Sequence, residues 1–180
     1  MNLKQALILV LVMAMVIPAF AETDIGFKGI GGRLGYVDPD GPDGTILFGV
    51  VADLGTWMPQ LHWDASAAYW SSGEEGPGWD ASWSDLALRT TVKYHFIEGP
   101  WEPYAGGGIG IHMLSFSYDY NGPGYPGDYD DSESDFALVI LGGIEHQFNP
   151  NWKGSADLQF DFGDAEQTSI QVNVIYMLGK

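Results

Sequence analysis

The sequence predicts an all-β protein, an eight-stranded antiparallel up-and-down barrel that crosses a membrane with its strands. Apolar and polar residues alternate with a period of two through eight segments, as in strands whose two faces meet different surroundings. Short and long connections alternate between these segments. The chain also begins with an export-type segment, so we expect the barrel to lie outside the cytoplasm.

The composition supports one domain and excludes several classes of function. The chain has 180 residues, of which 46% are apolar, and this suits a single domain. Its 24 acidic residues outnumber 7 basic ones and give a formal net charge of −17, whereas nucleic-acid partners require clusters of Lys and Arg. We therefore expect no nucleic-acid partner. The lack of cysteine excludes disulfides, thiol catalysis and a cysteine-ligated zinc site.

Residues 1–21 are predicted to be a cleavable signal peptide, and residues 22–180 the barrel domain. Lys4 precedes an apolar run over 6–16, which is too short to span a bilayer of ~30 Å as a helix. The segment closes with Ala-Phe-Ala at 19–21, a small-x-small cleavage site. The alternative is a buried N-terminal helix. No later stretch reaches ~18 consecutive apolar residues, so any membrane span consists of strands.

Eight segments show the strand pattern. It is clearest in the seventh, where Leu158 and Phe160 lie on one face while Asp157 and Gln159 lie on the other. Most segments reach the ~9–11 residues that a tilted strand needs to cross a bilayer. In chain order, the segments are 26–37, 45–57, 61–69, 84–96, 103–116, 134–148, 152–162 and 168–178.

The connections between these segments alternate in length. The tight ones are 57–60, 97–102 and 148–151. The longer ones are 38–44, 72–82, 117–134 and 163–167. Three of the longer ones are rich in Gly, Pro and Asp, and the tract 118–131 is predicted to be a loop without regular structure. Short turns at one rim and longer loops at the other are typical of outer membrane barrels with both termini in the periplasm.

Alternation alone does not say which face points outwards, and a soluble lipocalin-like barrel with its apolar face inside is the alternative. The apolar face carries more bulky side chains than the narrow interior of an eight-stranded barrel can hold. Lys28 is its only formal charge. Aromatic residues of this face fall near the two rims, as in the aromatic belts of membrane barrels: Tyr36, Trp63, Tyr69, Tyr94, Phe96, Phe136, Phe148, Trp152, Phe162 and Tyr176. These features predict lipid around the apolar face.

Charged residues of the polar face are predicted to form an ion-pair network that plugs the lumen: Arg33, Asp53, Asp64, Asp85, Arg89, Lys93, Glu145, Lys153, Asp157 and Asp161. Extending the hairpins from their turns places Asp64 near Lys93 and His62 near His95. The alternative is a hydrated, cation-preferring pore lined by the excess acid.

The sequence predicts no cofactor, no metal site and no catalytic residues. His62, His95 and His112 share the inward face with Asp64 and Asp85, but their spacing matches no ligand motif, so lumen filling and hydrogen bonding are favoured. There is no G-x-S-x-G motif, and a dyad inside the barrel would have no access for a lipid or peptide. We therefore expect that the protein is not an enzyme.

Two segments, Pro103-Tyr-Ala-Gly-Gly-Gly-Ile-Gly110 and GGIEHQFNPNW at 142–152, resemble a known family. They are similar to segments of small outer membrane β-barrel proteins, among them the OmpA transmembrane domain, OmpX and the opacity-type, porin-like proteins. The resemblance implies the cell outer membrane as location and the barrel assembly machinery as a partner. Such barrels usually end in an aromatic residue, whereas this chain ends in Lys180, with Tyr176 and Leu178 keeping the alternation.

The predicted function is structural, a plugged barrel that displays acidic loops and contributes to envelope integrity. The expected partners are outer membrane lipids and lipopolysaccharide, with divalent cations between loop carboxylates and lipid phosphates because bare carboxylates and phosphates repel. The barrel is expected to be monomeric. Two alternatives remain open. One is a surface adhesion or binding module acting through loop 118–134, whose Tyr- and Gly-rich composition suits adaptable recognition; the other is the narrow channel.

Overall fold

A computed structural model describes residues 23–120 and 127–179. In these ranges eight strands form one closed barrel, in which each strand is antiparallel to its neighbours. The strands are β1 (Asp24–Pro39), β2 (Thr45–Met58), β3 (Leu61–Gly76), β4 (Trp79–His95), β5 (Trp101–Tyr120), β6 (Gly127–Asn149), β7 (Trp152–Phe162) and β8 (Gln167–Met177). The predicted signal peptide lies outside the described residues. No helix in the described ranges has the length and hydropathy of a membrane span.

Pairing of β1 with β8 closes the barrel. The register of this pair runs from Gly29 opposite Met177 to Pro39 opposite Gln167, so both edge strands of the sheet are paired. Successive side chains alternate between the two faces: Ile170, like most large apolar side chains of the sheet, is exposed on the outside, whereas Gln171 is buried inside. The predicted eight-stranded up-and-down fold is confirmed.

The barrel has two different ends. At the tight-turn rim, short connections join β2 to β3, β4 to β5 and β6 to β7. The opposite end is the long-hairpin rim, where β3 with β4 and β5 with β6 run far beyond the ends of β7 and β8. β7 and β8 have 11 residues each, whereas β5 has 20 and β6 has 23.

Two predicted loops are wrong, because the chain there is mostly strand. Within 72–82, the backbone pairs continue to Gly76 opposite Trp79, leaving a two-residue turn at Pro77 and Gly78. Within 117–134, and within the predicted loop tract 118–131, β5 and β6 pair up to Tyr120 opposite Gly127, while 121–126 lie outside the described residues. The parts of these strands beyond the reach of lipid need no apolar face. The alternation of apolar and polar residues therefore disappears there, although the backbone pairing of the strands continues.

The position predicted for Lys28 is also wrong. The β1–β2 register shifts between Ile25 and Gly29, as in a β-bulge, and this shift changes the alternation of β1 near its start. Lys28 consequently lines the mouth of the lumen instead of the outer face. Its Nζ lies 2.5 Å from Asp24 Oδ1.

Candidate functional site in the barrel lumen

Two carboxylates and one ammonium form the charged layer nearest the tight-turn rim. Lys153 Nζ lies 2.7 Å from Asp53 Oδ2 and 3.1 Å from Glu145 Oε1. The three residues come from β7, β2 and β6, and all three are buried. A cavity of about 390 Å³ that these residues help to line extends to the rim. Because one ammonium faces two carboxylates, the layer keeps one negative charge.

Two histidines lie beside this layer. The rings of His62 and His95 stack with 4.1 Å between their centroids, and His95 also stacks on Tyr104 at 5.2 Å. His95 Nδ1 lies 2.9 Å from Glu102 Oε2. One ligand atom each from His62, His95 and Glu145 lie within 4.8 Å of one another. Sequence reasoning placed His62 near His95 but did not bring Glu145 to them, because the three residues come from three strands and show no motif spacing.

The next layer is an ion pair between Lys93 and Asp64. Lys93 Nζ also lies 4.8 Å from the centre of the Tyr104 ring, which is a cation–π contact. The Cα register places His62, not Asp64, opposite Lys93, so the ion pair joins diagonal neighbours. Both charged side chains are almost fully buried, and each therefore depends on the other for compensation.

Arg33 is linked to a carboxylate through an amide. Its Nε donates to Asn173 Oδ1 at 2.8 Å, and its Nη1 donates to Ser66 Oγ at 3.1 Å. Asn173 Nδ2 in turn donates to Asp157 Oδ2 at 2.6 Å. Asn173 is a site residue that our charged set omitted, although its alternation with Val172 already places it on the inward face.

Asp161 is the most highly connected carboxylate of the described lumen. Its Oδ2 accepts hydrogen bonds from Arg89 Nε at 2.9 Å, Arg89 Nη2 at 2.6 Å and Gln167 Nε2 at 3.0 Å. Its Oδ1 accepts one from Gln159 Nε2 at 2.9 Å. All four residues are buried. The arrangement joins β4, β7 and β8 across the interior.

Asp85 pairs with a histidine beside this centre. His112 Nδ1 lies 2.7 Å from Asp85 Oδ2, and His112 Nε2 lies 3.5 Å from Asp161 Oδ2. The exposed fractions of the His112 and Asp85 side chains are 0% and 1%. The pair therefore lacks the open surface through which a catalytic dyad meets its substrate.

An apolar cluster lies inside the barrel towards the long-hairpin rim. Val37, Leu47, Ala68 and Trp70 are buried together, and Trp83 packs against them. Trp70 Nε1 donates to Gln167 Oε1 at 2.9 Å, which joins the cluster to the polar layers. Sequence reasoning missed this cluster because it assigned apolar side chains to the outer face. The available signal was position, since Trp70 continues the inward alternation of β3.

Of the residues predicted for the aromatic belts, six lie near the tight-turn rim, and Tyr36 and Phe162 lie near the ends of β1 and β7. Tyr69 and Phe136 lie within β3 and β6, well before the ends of the long hairpins. Eight are exposed, whereas Trp63 and Tyr69 are half-buried. At the tight-turn rim, Trp152 and Tyr176 form an edge-to-face pair at 5.1 Å. Towards the other rim, Phe48 contacts Tyr69 at 5.5 Å, adding a residue that the predicted belts omitted. Such rings, apolar with a polar tip in Trp and Tyr, suit the level of lipid headgroups.

A closed antiparallel barrel with an apolar outside and a charged inside defines a transmembrane β-barrel. All strands are hydrogen-bonded to neighbours, as hydrocarbon requires, and the outer face supplies apolar side chains. The chain belongs to the outer membrane protein beta-barrel domain family, whose model matches residues 7–177. Membership implies an outer membrane location. A search of curated proteins gives no significant match.

Several solved structures share the fold. The chain is similar to Ail, the attachment invasion locus protein of Yersinia pestis, with a TM-score of 0.57 and 16% identity over 84% of this chain and 97% of that one. For the N-terminal β-barrel domain of Pseudomonas aeruginosa OprF, the TM-score is 0.58 and the identity is 13%, over 85% of this chain and 99% of that one. For Neisserial surface protein A, the TM-score is 0.55 and the identity is 14%, over 84% of this chain and 96% of that one. At these identities the likeness shows the fold alone.

Proposed function

We propose that the protein is a structural outer membrane barrel that stabilises the envelope and does not conduct solutes. The observation that carries the proposal is the interior itself. Charged layers occupy the lumen from the tight-turn rim to its centre, and the apolar cluster follows them towards the other rim. An eight-stranded barrel is just wide enough to be filled by side chains, and here the side chains bond to one another across it.

The exposed surfaces suggest the partners of such a barrel. Apolar side chains on the outer face suit outer membrane lipids. At the long-hairpin rim, a cavity of about 210 Å³ is bordered by carboxylates that include Asp131, Glu133 and Glu166. Divalent cations between these carboxylates and lipopolysaccharide phosphates would remove their repulsion. A monomer, a cleaved signal peptide, insertion by the barrel assembly machinery and a non-enzymatic role belong to the same proposal.

A second candidate function is adhesion through the long hairpins. Trp79 on β4 stacks on Tyr118 on β5 at 6.2 Å, and Trp83 on β4 contacts Phe116 on β5 at 5.3 Å. These contacts join the two hairpins into one projecting sheet, and Tyr129 is exposed on it. A paired sheet with an exposed tyrosine is a suitable binding surface, because aromatic side chains give contact area at a low entropy cost.

Deleting residues 120–132 separates the two functions, because this change shortens the β5–β6 hairpin outside the lumen network. A strain without the gene should become more sensitive to detergents and bulky antibiotics. Under the structural proposal, the full chain and the shortened chain should restore resistance equally. Survival on detergent plates and binding of labelled cells to a host-cell layer would be measured together.

Each outcome assigns the function. Loss of adhesion with resistance restored would add a binding role to the structural one. Loss of adhesion where resistance never depended on the gene would favour the binding module over the structural role. If the strain without the gene and the strain that carries the full chain are equally sensitive to detergent, the structural proposal is contradicted. A cold-versus-boiled gel shift of each variant checks that the shortened barrel folds.

A further inference from the structure

We propose that His62, His95 and Glu145 form a binding site for a divalent transition-metal ion at the tight-turn mouth of the lumen. The three side chains come from β3, β4 and β6. Their ligand atoms lie within 4.8 Å of one another. The site is independent of the proposed function, because a filled barrel stabilises the envelope with or without a metal at its mouth.

The hydrogen bonds of His95 prepare its ring for a metal. Its Nδ1 lies 2.9 Å from Glu102 Oε2, so this nitrogen carries the proton and donates it to the carboxylate. Its Nε2 is then an acceptor, yet this atom is buried and has no hydrogen-bond partner among the described residues. A histidine whose outer nitrogen donates to a carboxylate and whose inner nitrogen is bare is the usual arrangement of a metal-bound histidine.

Packing holds the ligands close together. His95 stacks on both His62 and Tyr104, with interplanar angles of 21° and 19°, which restricts rotation of its ring. Zinc bonds of about 2.0–2.1 Å place neighbouring ligand atoms of a tetrahedral site about 3.3 Å apart. Ligand atoms up to 4.8 Å apart must therefore approach by up to about 1.5 Å. A metal ion lies in the plane of the imidazole that binds it, so the half-buried His62 ring must also turn out of its stack, whereas Tyr104 and Glu102 hold His95 in place.

Charge favours a cation at this mouth. Glu102 and Glu145 are opposite each other on β5 and β6, where like charges repel. With Asp53 and Asp24 they make four carboxylates around the cavity, against the two ammonium groups of Lys28 and Lys153, so two negative charges are left. A divalent ion balances this excess. The cavity of about 390 Å³ that His62 and Glu145 line supplies its route of entry.

The ligand types indicate the class of ion. Two imidazole nitrogens and one carboxylate oxygen suit Zn²⁺, Co²⁺ and Ni²⁺, whereas Ca²⁺ and Mg²⁺ prefer oxygen ligands alone. Three protein ligands leave one tetrahedral position for water. Because the ligands join three strands, the ion should also hold this rim of the barrel together.

The test is metal binding by the untagged barrel folded in detergent micelles. Isothermal titration with Zn²⁺ should show one saturable site per chain, and Co²⁺ should give the visible absorption of a four-coordinate nitrogen and oxygen site. The variants His62→Ala and Glu145→Gln should each weaken Zn²⁺ binding at least tenfold. Glu102→Gln should weaken it about 10–100-fold through loss of orientation of His95.

His146→Ala is the matched control. His146 is a half-buried histidine near the same rim, where it stacks on Trp101 at 4.2 Å. This variant should bind Zn²⁺ as the parent chain does. A barrel without saturable binding, or one whose affinity is unchanged by His62→Ala and Glu145→Gln, would overturn the proposal. Gel migration of unboiled samples checks that each variant is folded.

Discussion

Arg89 and Asp161 lie on β4 and β7, which are not neighbours in the barrel, so their ion pair crosses the lumen. The exposed fraction of each side chain is 1%. Alternation along the two strands already places both residues inside. Their contact could not be predicted, because hairpin register relates adjacent strands only, and these residues are 72 positions apart in the chain.

Asp161→Asn should destabilise the barrel strongly. The substitution keeps the shape of the side chain but leaves the Arg89 guanidinium buried without its counter-charge, and breaking such a pair costs about 3–5 kcal/mol. The free energy of unfolding would be measured by urea titration in micelles, with gel migration as the readout.

Asp164→Asn is the control for this change. Asp164 is an exposed carboxylate three residues further along the chain, in the β7–β8 connection, so its substitution should change the unfolding free energy by no more than about 0.5 kcal/mol. Equal stability of the two variants would mean that the charge of Asp161 contributes nothing to the fold.

The neutral partners show a different limit of sequence reasoning. Asn173 lies on the inward face by alternation, but only the packed lumen brings it between Arg33 and Asp157. A neutral amide can donate to one group and accept from another, so it links an arginine to an aspartate that are too far apart to pair directly. The search for charged residues therefore identified Arg33 and Asp157 but not the neutral Asn173 that joins them.

At the scale of elements, the strands that face lipid could be predicted and their extensions could not. β7 begins and ends at the predicted residues, because one face meets hydrocarbon and the other meets the lumen along its whole length. The outer parts of β3 to β6 lie beyond lipid and carry Ser, Gly, Asp and Tyr in no regular order. Backbone pairing holds them in the sheet, and it leaves no period in the sequence.

The turn between β3 and β4 allows a local prediction. Gly78 has φ of 83°, a left-handed conformation that favours glycine, and it follows Pro77 in a two-residue turn. Gly78→Val should open the end of this hairpin, since a side chain there costs roughly 1–2 kcal/mol and β-branching adds strain. Amide hydrogen exchange should become faster over residues 74–81, whereas the melting temperature of the barrel should not change.

Gly73→Ala is the matched substitution in the same hairpin. The added Cβ would lie 3.5 Å from the Ala81 carbonyl oxygen, an ordinary contact, at a backbone conformation that alanine adopts. Its exchange rates should remain those of the parent chain. Unchanged exchange in Gly78→Val would show that the turn does not need the left-handed conformation in solution.

At the scale of the whole molecule, the direction of the alternation decides what the barrel contains. With the apolar face outside, the excess acid of the sequence divides between the lumen and the long-hairpin rim. In the lumen the carboxylates are paired with Lys, Arg, His and amide groups. Under the structural proposal, such a lumen holds no continuous column of water, and this distinguishes the structural barrel from a cation-preferring channel.

Planar-bilayer recording tests this distinction. The reconstituted barrel should show no stable conductance steps of nanosiemens size in 1 M KCl, a salt concentration typical of such recordings, because the layers around Lys93, Arg33 and Asp161 close the lumen. A sixteen-stranded porin recorded in parallel verifies that such steps would be detected.

The variant Trp70→Ala removes the largest side chain of the apolar cluster but leaves the charged layers below it. It should remain closed, since the charged layers still cross the barrel below the cluster. Regular steps in the parent chain, selective for cations, would instead identify a channel lined by the same carboxylates.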